Sequence, residues 1–206
     1  MRIDIDTPIP EEQIRKLRVG ECVFLSGVVV TARDAAYRWI VDNFVYSAAD
    51  PSDEDRVIFE SIKKYLDGGV IYHCGPVVAQ DERGVYQVTA AGPTTSIRQE
   101  AYQAEVMRLF NLRGVIGKGG MGAKTLKACA EQPAVYLHAI GGAAALIAAA
   151  VQEVIGVYKL EFGMPEAMWV LRVKDLPLVV TMDSQNNSLH DQVKKTSSKK
   201  LAEFLV

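Results

Sequence analysis

The sequence contains little cysteine. Its 206 residues include only Cys22, Cys74 and Cys129, which are widely spaced and form no C-x-x-C pair. An odd number of separated cysteines argues against a disulfide framework and favours a reducing compartment. It also argues against a metal or iron–sulfur site held by this chain alone, because such sites need three or four converging thiolates or imidazoles. We therefore expect no metal ligands in this chain.

The sequence also lacks an excess of one charge and a long uninterrupted apolar run. Lys and Arg number 23 against 25 Asp and Glu, with no dense basic cluster, which argues against nucleic-acid binding. The opening MRIDIDTPIPEE has no apolar segment, so we expect no signal peptide. The most hydrophobic run, 139–158, is interrupted by Gln152 and Glu153 and predicts a buried helix rather than a membrane span. These features predict a soluble, cytoplasmic protein.

Apolar β-branched runs alternate with segments of helical periodicity, which predicts an α/β fold. The middle of the chain repeats the order strand, glycine loop, helix, so parallel strands are expected there. Clustered strands before and after that part predict a mixed central sheet. The length suits a single domain over 1–206, with a C-terminal helix at about 188–205.

Several local predictions follow from the same patterns. Residues 70–78 are typical of one strand, 141–155 of a helix and 158–162 of a strand. Residues 167–173 and 177–183 are typical of two further strands. In the helix after residue 100, the spacing of three apolar side chains predicts that they face inward: Tyr102, Val106 and Leu109.

GPTTSIR, residues 92–98, is the most polar junction between a strand and a helix. Thr94, Thr95 and Ser96 are all candidate N-cap residues, and a cap needs only one hydroxyl. Three hydroxyls beside free helix N–H groups and Arg98 would suit a carboxylate or phosphate. A plain helix cap with a solvated Arg98 is the alternative, and the residues alone leave both interpretations open.

GKGGMG, residues 117–122, partly matches the phosphate-binding pattern G-x-x-x-x-G-K-[ST]. Ala123 displaces Lys124 one residue too far for that pattern, so the match fails. What remains is a loop in which Gly119 and its neighbours let the backbone approach a ligand while Lys118 offers a cation. A tight turn with an exposed lysine is the alternative.

The third polar junction is TARDAA, where Arg33 follows an apolar strand and Asp34 is a candidate helix cap. An exposed arginine beside a cap is the simplest interpretation. The three histidines, His73, His138 and His190, are far apart and show no metal-ligand spacing. We expect each of them to be structural.

Taken in order, the motifs LSGVVVTARDAA, GPTTSIR, GVIGKGGM, GGAAAL and GMPEAMWVLRVKDLPLVVTMDSQNNSLH resemble one family. It is the β subunit, or C-terminal region, of the class I iron–sulfur hydro-lyases: class I fumarate hydratases and L(+)-tartrate dehydratases. The resemblance runs from about Leu25 to His190. It implies a swivelling β/β/α domain and a partner α subunit, in a heterodimer or heterotetramer, that binds a [4Fe-4S] cluster.

The resemblance implies reversible hydration of fumarate to L-malate, with this chain inactive without its α subunit. Dehydration of tartrate to oxaloacetate is the alternative, followed by a phosphate- or nucleotide-binding module and by a purely structural partner. Thr94 is implied as the catalytic base. The residues implied to bind substrate are Arg33, Arg98, Lys118, Thr95 and Gly119.

The chemistry of a dicarboxylate explains such a set. Removing a proton beside a carboxylate builds negative charge on its oxygens, which arginine and lysine stabilise. A threonine hydroxyl is a poor base unaided, so we expect an acid residue from the α subunit and a site at the subunit interface. Two positions depart from the family pattern, Tyr37 and Gln99. Tyr37 lies one helical turn after Arg33 and is expected to affect how that arginine is held.

Overall fold

The computed structural model describes residues 2–46 and 50–204. The strands are β1 (Ile3–Asp6), β2 (Cys22–Thr31), β3 (Val70–Tyr72), β4 (Val77–Gln80), β5 (Tyr86–Ala90), β6 (Gly114–Gly117), β7 (Val135–His138), β8 (Val151–Tyr158) and β9 (Met168–Met182). The α-helices are α1 (Glu11–Ile14), α2 (Asp34–Ile40), α3 (Asp53–Leu66), α4 (Gln103–Phe110), α5 (Ala123–Glu131), α6 (Ala144–Ala148) and α7 (Leu189–Phe204). Ser96–Gln99 and Leu160–Phe162 form 3-10 turns, and Val41–Val45 continues α2 as a π-helical turn.

The central sheet has the strand order β1-β2-β3-β6-β7-β9-β8. Neighbours from β1 through β7 are parallel, whereas β9 is antiparallel to β7, β8 and β2. Because β9 pairs with both β7 and β2, the strands β2, β3, β6, β7 and β9 close into a ring. The predictions of a mixed α/β fold and of parallel strands in the middle of the chain are confirmed.

Successive residues of β3 face opposite sides of the sheet, as strand geometry requires. Val70 and Tyr72 pack in an apolar cluster with side chains of β2, β6, β7 and β9. Ile71 joins a second cluster, which includes Phe59 of α3 and Phe110 of α4. All three β3 side chains are buried, which is typical of a parallel strand covered on both faces.

The prediction of one strand over 70–78 is wrong. The strand β3 ends at Tyr72, and β4 begins at Val77 in a separate two-stranded sheet with β5. Pro76 lacks the N–H that a continued ladder would need. Gly75 packs so closely that a Cβ there would lie 2.5 Å from the Arg33 guanidinium. The chain therefore turns away from the central sheet at this point.

The predicted helix over 141–155 is also wrong, since α6 covers only Ala144–Ala148 and β8 follows from Val151. The alanines favour a helix locally, but the Val- and Ile-rich sequence of β8 pairs with β9. The strand predicted at 158–162 is replaced by a 3-10 turn, because Lys159 adopts a left-handed conformation with φ 56°.

The two strands predicted at 167–173 and 177–183 form the single strand β9, which passes through Asp175 with φ 52°. Tyr102 does not face inward: it precedes α4 and is 38% exposed. Val106 is buried as predicted, and Leu109 packs partly buried against the same core. Met107 and Phe110 complete the buried apolar face of α4.

The helix α7 lies where a C-terminal helix was predicted, although residue 205 falls outside the described residues. Three of its apolar side chains are exposed: Val193, Leu201 and Phe204. Within 2–46 and 50–204, none of the helices has the length and apolar character needed to cross a bilayer.

Candidate functional site

The carboxyl ends of parallel strands meet at one edge of the sheet, where α/β proteins gather their ligands. Arg33 follows β2, His73 follows β3 and Lys118 follows β6 at this edge, while His138 is the last residue of β7. The loop 91–96, which leaves β5, returns to the same edge and lies between the ends of β3 and β6. The predicted polar loops are thus brought together by the sheet.

Thr94 is held to the ends of both neighbouring strands. Its N–H donates to the His73 carbonyl at 2.8 Å, and its hydroxyl donates to the same oxygen at 3.2 Å. The Lys118 N–H donates to the Thr94 carbonyl at 3.2 Å, and the Ser96 N–H donates to the Lys118 carbonyl at 3.1 Å. The exposed Thr95 forms an isolated parallel bridge with Lys118. The main chain therefore fixes Thr94 beside Lys118.

The two arginines are each oriented by a carboxylate. Arg33 lies 3.2 Å from Glu166 through its Nε atom, and Arg98 lies 3.2 Å from Asp34 through its Nε atom. Arg98 is 45% exposed on its side chain and Arg33 is 24% exposed. A guanidinium has five N–H donors, so these single contacts leave donors for a substrate carboxylate.

Asp34 does not cap α2 as predicted. Its carboxylate instead accepts from Arg98 and, at 2.6 Å, from the Gln99 side-chain amide. Glu166 supplies the bond to the helix start, because its Oε2 accepts from the Ala35 N–H at 3.0 Å. Sequence reasoning assigned no role to Glu166, which is distant along the chain from Arg33 and Ala35.

Thr95 occupies the N-cap position of the 3-10 turn, and no side-chain capping bond forms there within the described residues. The helix-cap interpretation of 94–96 is therefore wrong. Ser96 is fully buried and its hydroxyl belongs to an internal network. The Lys118 side chain lies over Gly141, where a Cβ would approach its Cδ to 2.9 Å. Gly119 is exposed with φ 82°.

A buried polar network lies directly beneath Thr94. The His73 ring contacts the hydroxyls of Ser96 and Tyr37, each at 2.8 Å. Tyr136 donates to Ser96 at 2.8 Å, and Tyr37 donates to Gln103 at 2.7 Å. Burial lowers the pKa of His73 to about 4, so the ring is neutral at pH 7.

Tyr37 binds His73 and Gln103 rather than the Arg33 side chain. We expected Tyr37 to affect how Arg33 is held, but the Tyr37 hydroxyl makes no hydrogen bond to the Arg33 side chain. Sequence reasoning missed this network. No local pattern marked it, because its members lie far apart along the chain and meet only in the folded sheet.

The start of α5 already holds an anion from the chain itself. The Glu100 carboxylate accepts from the N–H groups of Gly122 at 2.8 Å and Lys124 at 2.9 Å. It also accepts from the Thr125 hydroxyl at 2.6 Å. These are the groups that a phosphate would use after a glycine loop. The nucleotide-binding alternative is disfavoured by this internal cap.

A surface hollow of about 270 Å³ lies beside Arg98 and is lined also by Asp34, Arg38, Asp42 and Tyr102. In the described part of the chain, its lining does not include the other three candidate residues: Arg33, Thr94 and Lys118. All four share one edge of the sheet, but this hollow belongs to Arg98 alone. Their catalytic and binding roles stay predictions.

The cysteines do not form a cluster site. Cys22 is exposed at the start of β2, whereas Cys74 and Cys129 are buried. Burial raises the pKa of both buried thiols to about 12, which keeps them protonated. Across the residues described, no three His, Cys, Asp or Glu side chains converge as metal ligands. The residues that the structure describes therefore do not fit a [4Fe-4S] cluster.

Comparison with known proteins gives one family and several relatives. A family model described as Fumarase C-terminus matches residues 1–193. A Geobacillus stearothermophilus protein named as a fumarate hydratase class I is 50% identical over 202 residues, which are 98% of this chain and 36% of that protein. The chain thus spans about a third of that relative's length.

Two other relatives are matched over nearly their whole length. A Methanocaldococcus jannaschii protein named as an L(+)-tartrate dehydratase subunit beta is 37% identical over 199 residues, 96% of this chain and 95% of the relative. The Escherichia coli K12 L(+)-tartrate dehydratase subunit beta is 34% identical over 196 residues, 95% of this chain and 90% of the relative.

Proposed function

Since the chain belongs to the fumarase C-terminus family, we propose that it is the β subunit of a class I hydro-lyase that reversibly hydrates fumarate to L-malate. The observation that carries this proposal is the shared position of four side chains at the carboxyl edge of the parallel strands: Arg33, Thr94, Arg98 and Lys118. Three cations beside one hydroxyl suit a substrate with two carboxylates.

The cations supply binding and charge stabilisation. Arg33 and Arg98 grip carboxylate oxygens through N–H donors that Glu166 and Asp34 leave open. Lys118 acts as a compact positive charge above Gly141. Proton removal at C3 of malate builds charge on the adjacent carboxylate, so these groups stabilise the transition state more than the ground state.

Thr94 takes the C3 proton while its own hydroxyl proton passes to a stronger base. Its hydroxyl donates to the His73 carbonyl, an acceptor that cannot take up the proton. The Thr94 hydroxyl has no carboxylate partner within 2–46 and 50–204. A stronger base must therefore come from outside this chain, and we assign it to an acid residue of an α subunit. The active site then lies between the two subunits.

We also assign the [4Fe-4S] cluster to the α subunit, because the three cysteines of this chain do not converge. The isolated chain is expected to fold and to be inactive. The assignment is tested by reconstituting the chain anaerobically with an α-type subunit and measuring the change in fumarate absorbance. Activity in the complex and not in either subunit supports the proposal. A loaded complex that converts neither fumarate nor L(+)-tartrate would overturn it.

Tartrate dehydration to oxaloacetate is the second candidate function. It is favoured by the two relatives named as tartrate dehydratase subunits, which this chain matches over nearly their whole length. The fumarate assignment is favoured by the higher identity to the relative with that name. Comparing kcat/KM for the two substrates with one preparation of the complex separates them.

A further inference from the structure

We propose that His73 and Ser96 are positioning residues, which hold the segment carrying Thr94 against the end of β6 through a buried hydrogen-bond network. This inference rests on the proposed function, because it assigns these two residues to the same site. Neither residue touches the substrate in this proposal. Ser96 is fully buried and His73 is 1% exposed, so neither is available as a nucleophile or a ligand.

The directions of two tyrosine hydrogen bonds define one proton arrangement for the network. Tyr136 donates to Ser96, and Tyr37 donates to the Gln103 carbonyl oxygen. With these directions Ser96 donates to His73 Nδ1, and His73 Nε2–H faces two acceptors, the Tyr37 oxygen at 2.8 Å and the Gln103 oxygen at 3.1 Å. This arrangement requires the neutral Nε2–H form of His73. A second proton on the ring would remove Nδ1 as an acceptor for the Ser96 hydroxyl.

The network holds Thr94 in place through main-chain hydrogen bonds. The ring of His73 is fixed by Ser96, while the carbonyl of His73 binds both the N–H and the hydroxyl of Thr94. The Ser96 N–H binds the Lys118 carbonyl. Ser96 therefore anchors the segment at two points, one on each neighbouring strand. Losing its hydroxyl removes the link between the His73 ring and this segment.

Close packing at Gly117 keeps the network in place. A Cβ at Gly117 would lie 1.8 Å from Ser96 Oγ, 2.9 Å from the Tyr136 hydroxyl and 3.1 Å from His73 Nδ1. The backbone of β6 therefore lies directly against the hydroxyl of Ser96. Position 117 has no space for a side chain larger than that of glycine. This packing lies directly before Lys118, one of the proposed substrate-binding residues.

Arg98 is anchored differently from Thr94. Its guanidinium binds Asp34, and Asp34 also binds Gln99, with no contact through Ser96. Loss of the network should therefore disturb the base more than the substrate-binding arginine. That difference predicts a fall in kcat with little change in KM.

The first test measures turnover of the reconstituted complex. Ser96→Ala and His73→Leu should each lower kcat by about tenfold or more with KM changed less than about twofold. His73→Asn, which returns an acceptor near the position of Nδ1, should recover part of the loss. The control is Ile14→Val, a core change in α1, whose Glu11 binds Arg113 before the start of β6 at the opposite edge.

Ile14→Val should lose no turnover at a comparable fall in melting temperature. An equal fall in kcat for Ile14→Val would show that the loss of turnover in the site variants comes from lower stability alone, and it would overturn the proposal. His73→Asn behaving no better than His73→Leu would also overturn it.

The second test needs no activity and uses the full chain alone. Amide exchange of Thr94 and Lys118 should be faster by about tenfold or more in Ser96→Ala, while β8 amides stay unchanged. Unchanged exchange at both residues would overturn the positioning role. If the wild-type complex turns over neither substrate, the proposed function fails, and this exchange result still decides whether Ser96 orders the segment.

Discussion

The Thr94 N–H and the Thr94 hydroxyl both donate to the carbonyl oxygen of His73, at 2.8 Å and 3.2 Å. The main-chain bond holds the residue in place whatever its side chain is. The hydroxyl can therefore be removed without releasing the segment. This separation makes Thr94 a clean position for testing chemistry apart from folding.

Thr94→Ala is predicted to lower kcat of the reconstituted complex by about 100-fold or more, as expected for loss of a general base. The melting temperature should change little, because the N–H of residue 94 still binds His73. Thr94→Ser keeps the hydroxyl and is the matched control. A loss of only a few-fold in Thr94→Ala would remove this residue from the role of base.

Arg98→Met and Lys118→Met are each predicted to lower kcat/KM for fumarate by about 10- to 100-fold, the range for one charged hydrogen bond to a carboxylate. Arg83→Met is the control, because Arg83 is 83% exposed on the β4–β5 turn and pairs with Asp81. Steady-state kinetics across fumarate concentrations give the answer. Full turnover in both site variants would favour a purely structural partner.

Gly117→Ala is predicted to destabilise the chain by about 2 kcal/mol, in the range for overpacking a core. The added Cβ would lie 1.8 Å from the Ser96 hydroxyl oxygen. Gly156→Ala on β8 is the control, since a Cβ there would meet no heavy atom of the described residues within 4 Å. Urea unfolding of the isolated chain measures both. Equal midpoints would show that the backbone of β6 has room beside Ser96.

Much of the fold and of the candidate site could be predicted from the sequence, because short segments of the chain determine these features. The apolar strands, the glycine loops and the polar residues at strand ends are encoded in short segments, so Arg33, Thr94 and Lys118 could be predicted to meet. The network around His73 has no such local cause. Its partners come from α2, α4, β7 and the 3-10 turn, and only the folded sheet brings them together.

The error at β8 has the same origin. The alanines before Val151 favour a helix over a short window, but the pairing of β8 with β9 is a contact between distant segments. Glu166 was missed for a related reason, since it meets Arg33 only across the folded structure.

The stability of the chain is predicted to fall as the pH falls from about 6.5 to about 4, in part because of His73. Burial lowers the pKa of folded His73 to about 4, against 6.5 for an ordinary histidine. Within this window the unfolded chain binds a proton that the folded chain does not, so unfolding is favoured at the lower pH. The full effect is on the order of 3 kcal/mol.

His73→Leu should flatten that dependence. Burial also lowers the pKa of His138 and of His190, but both contribute equally to the wild type and the variant. The difference between the two denaturant-unfolding curves, measured at several pH values, therefore isolates His73. If the free energy of unfolding depended on pH in the same way for the wild type and His73→Leu between pH 7 and pH 4, a buried neutral imidazole would be contradicted.

Glu100 occupies the anion position at the start of α5, so Glu100→Gln is predicted to destabilise the chain by about 2 kcal/mol. A neutral amide cannot accept from Gly122, Lys124 and Thr125 in the way that the carboxylate does. Glu131→Gln at the other end of α5 is the control, because its pairs with Arg108 and Lys127 are exposed to solvent and should contribute little to stability.

The wild-type chain is predicted to give no binding heat with ATP and Mg²⁺ in calorimetry. The reason is that the N–H groups a phosphate would need already donate to the Glu100 carboxylate. Measurable heat with the wild type would mean that a nucleotide displaces Glu100. In that case the glycine loop would be a phosphate site, and the role of Lys118 in binding a dicarboxylate would have to be abandoned.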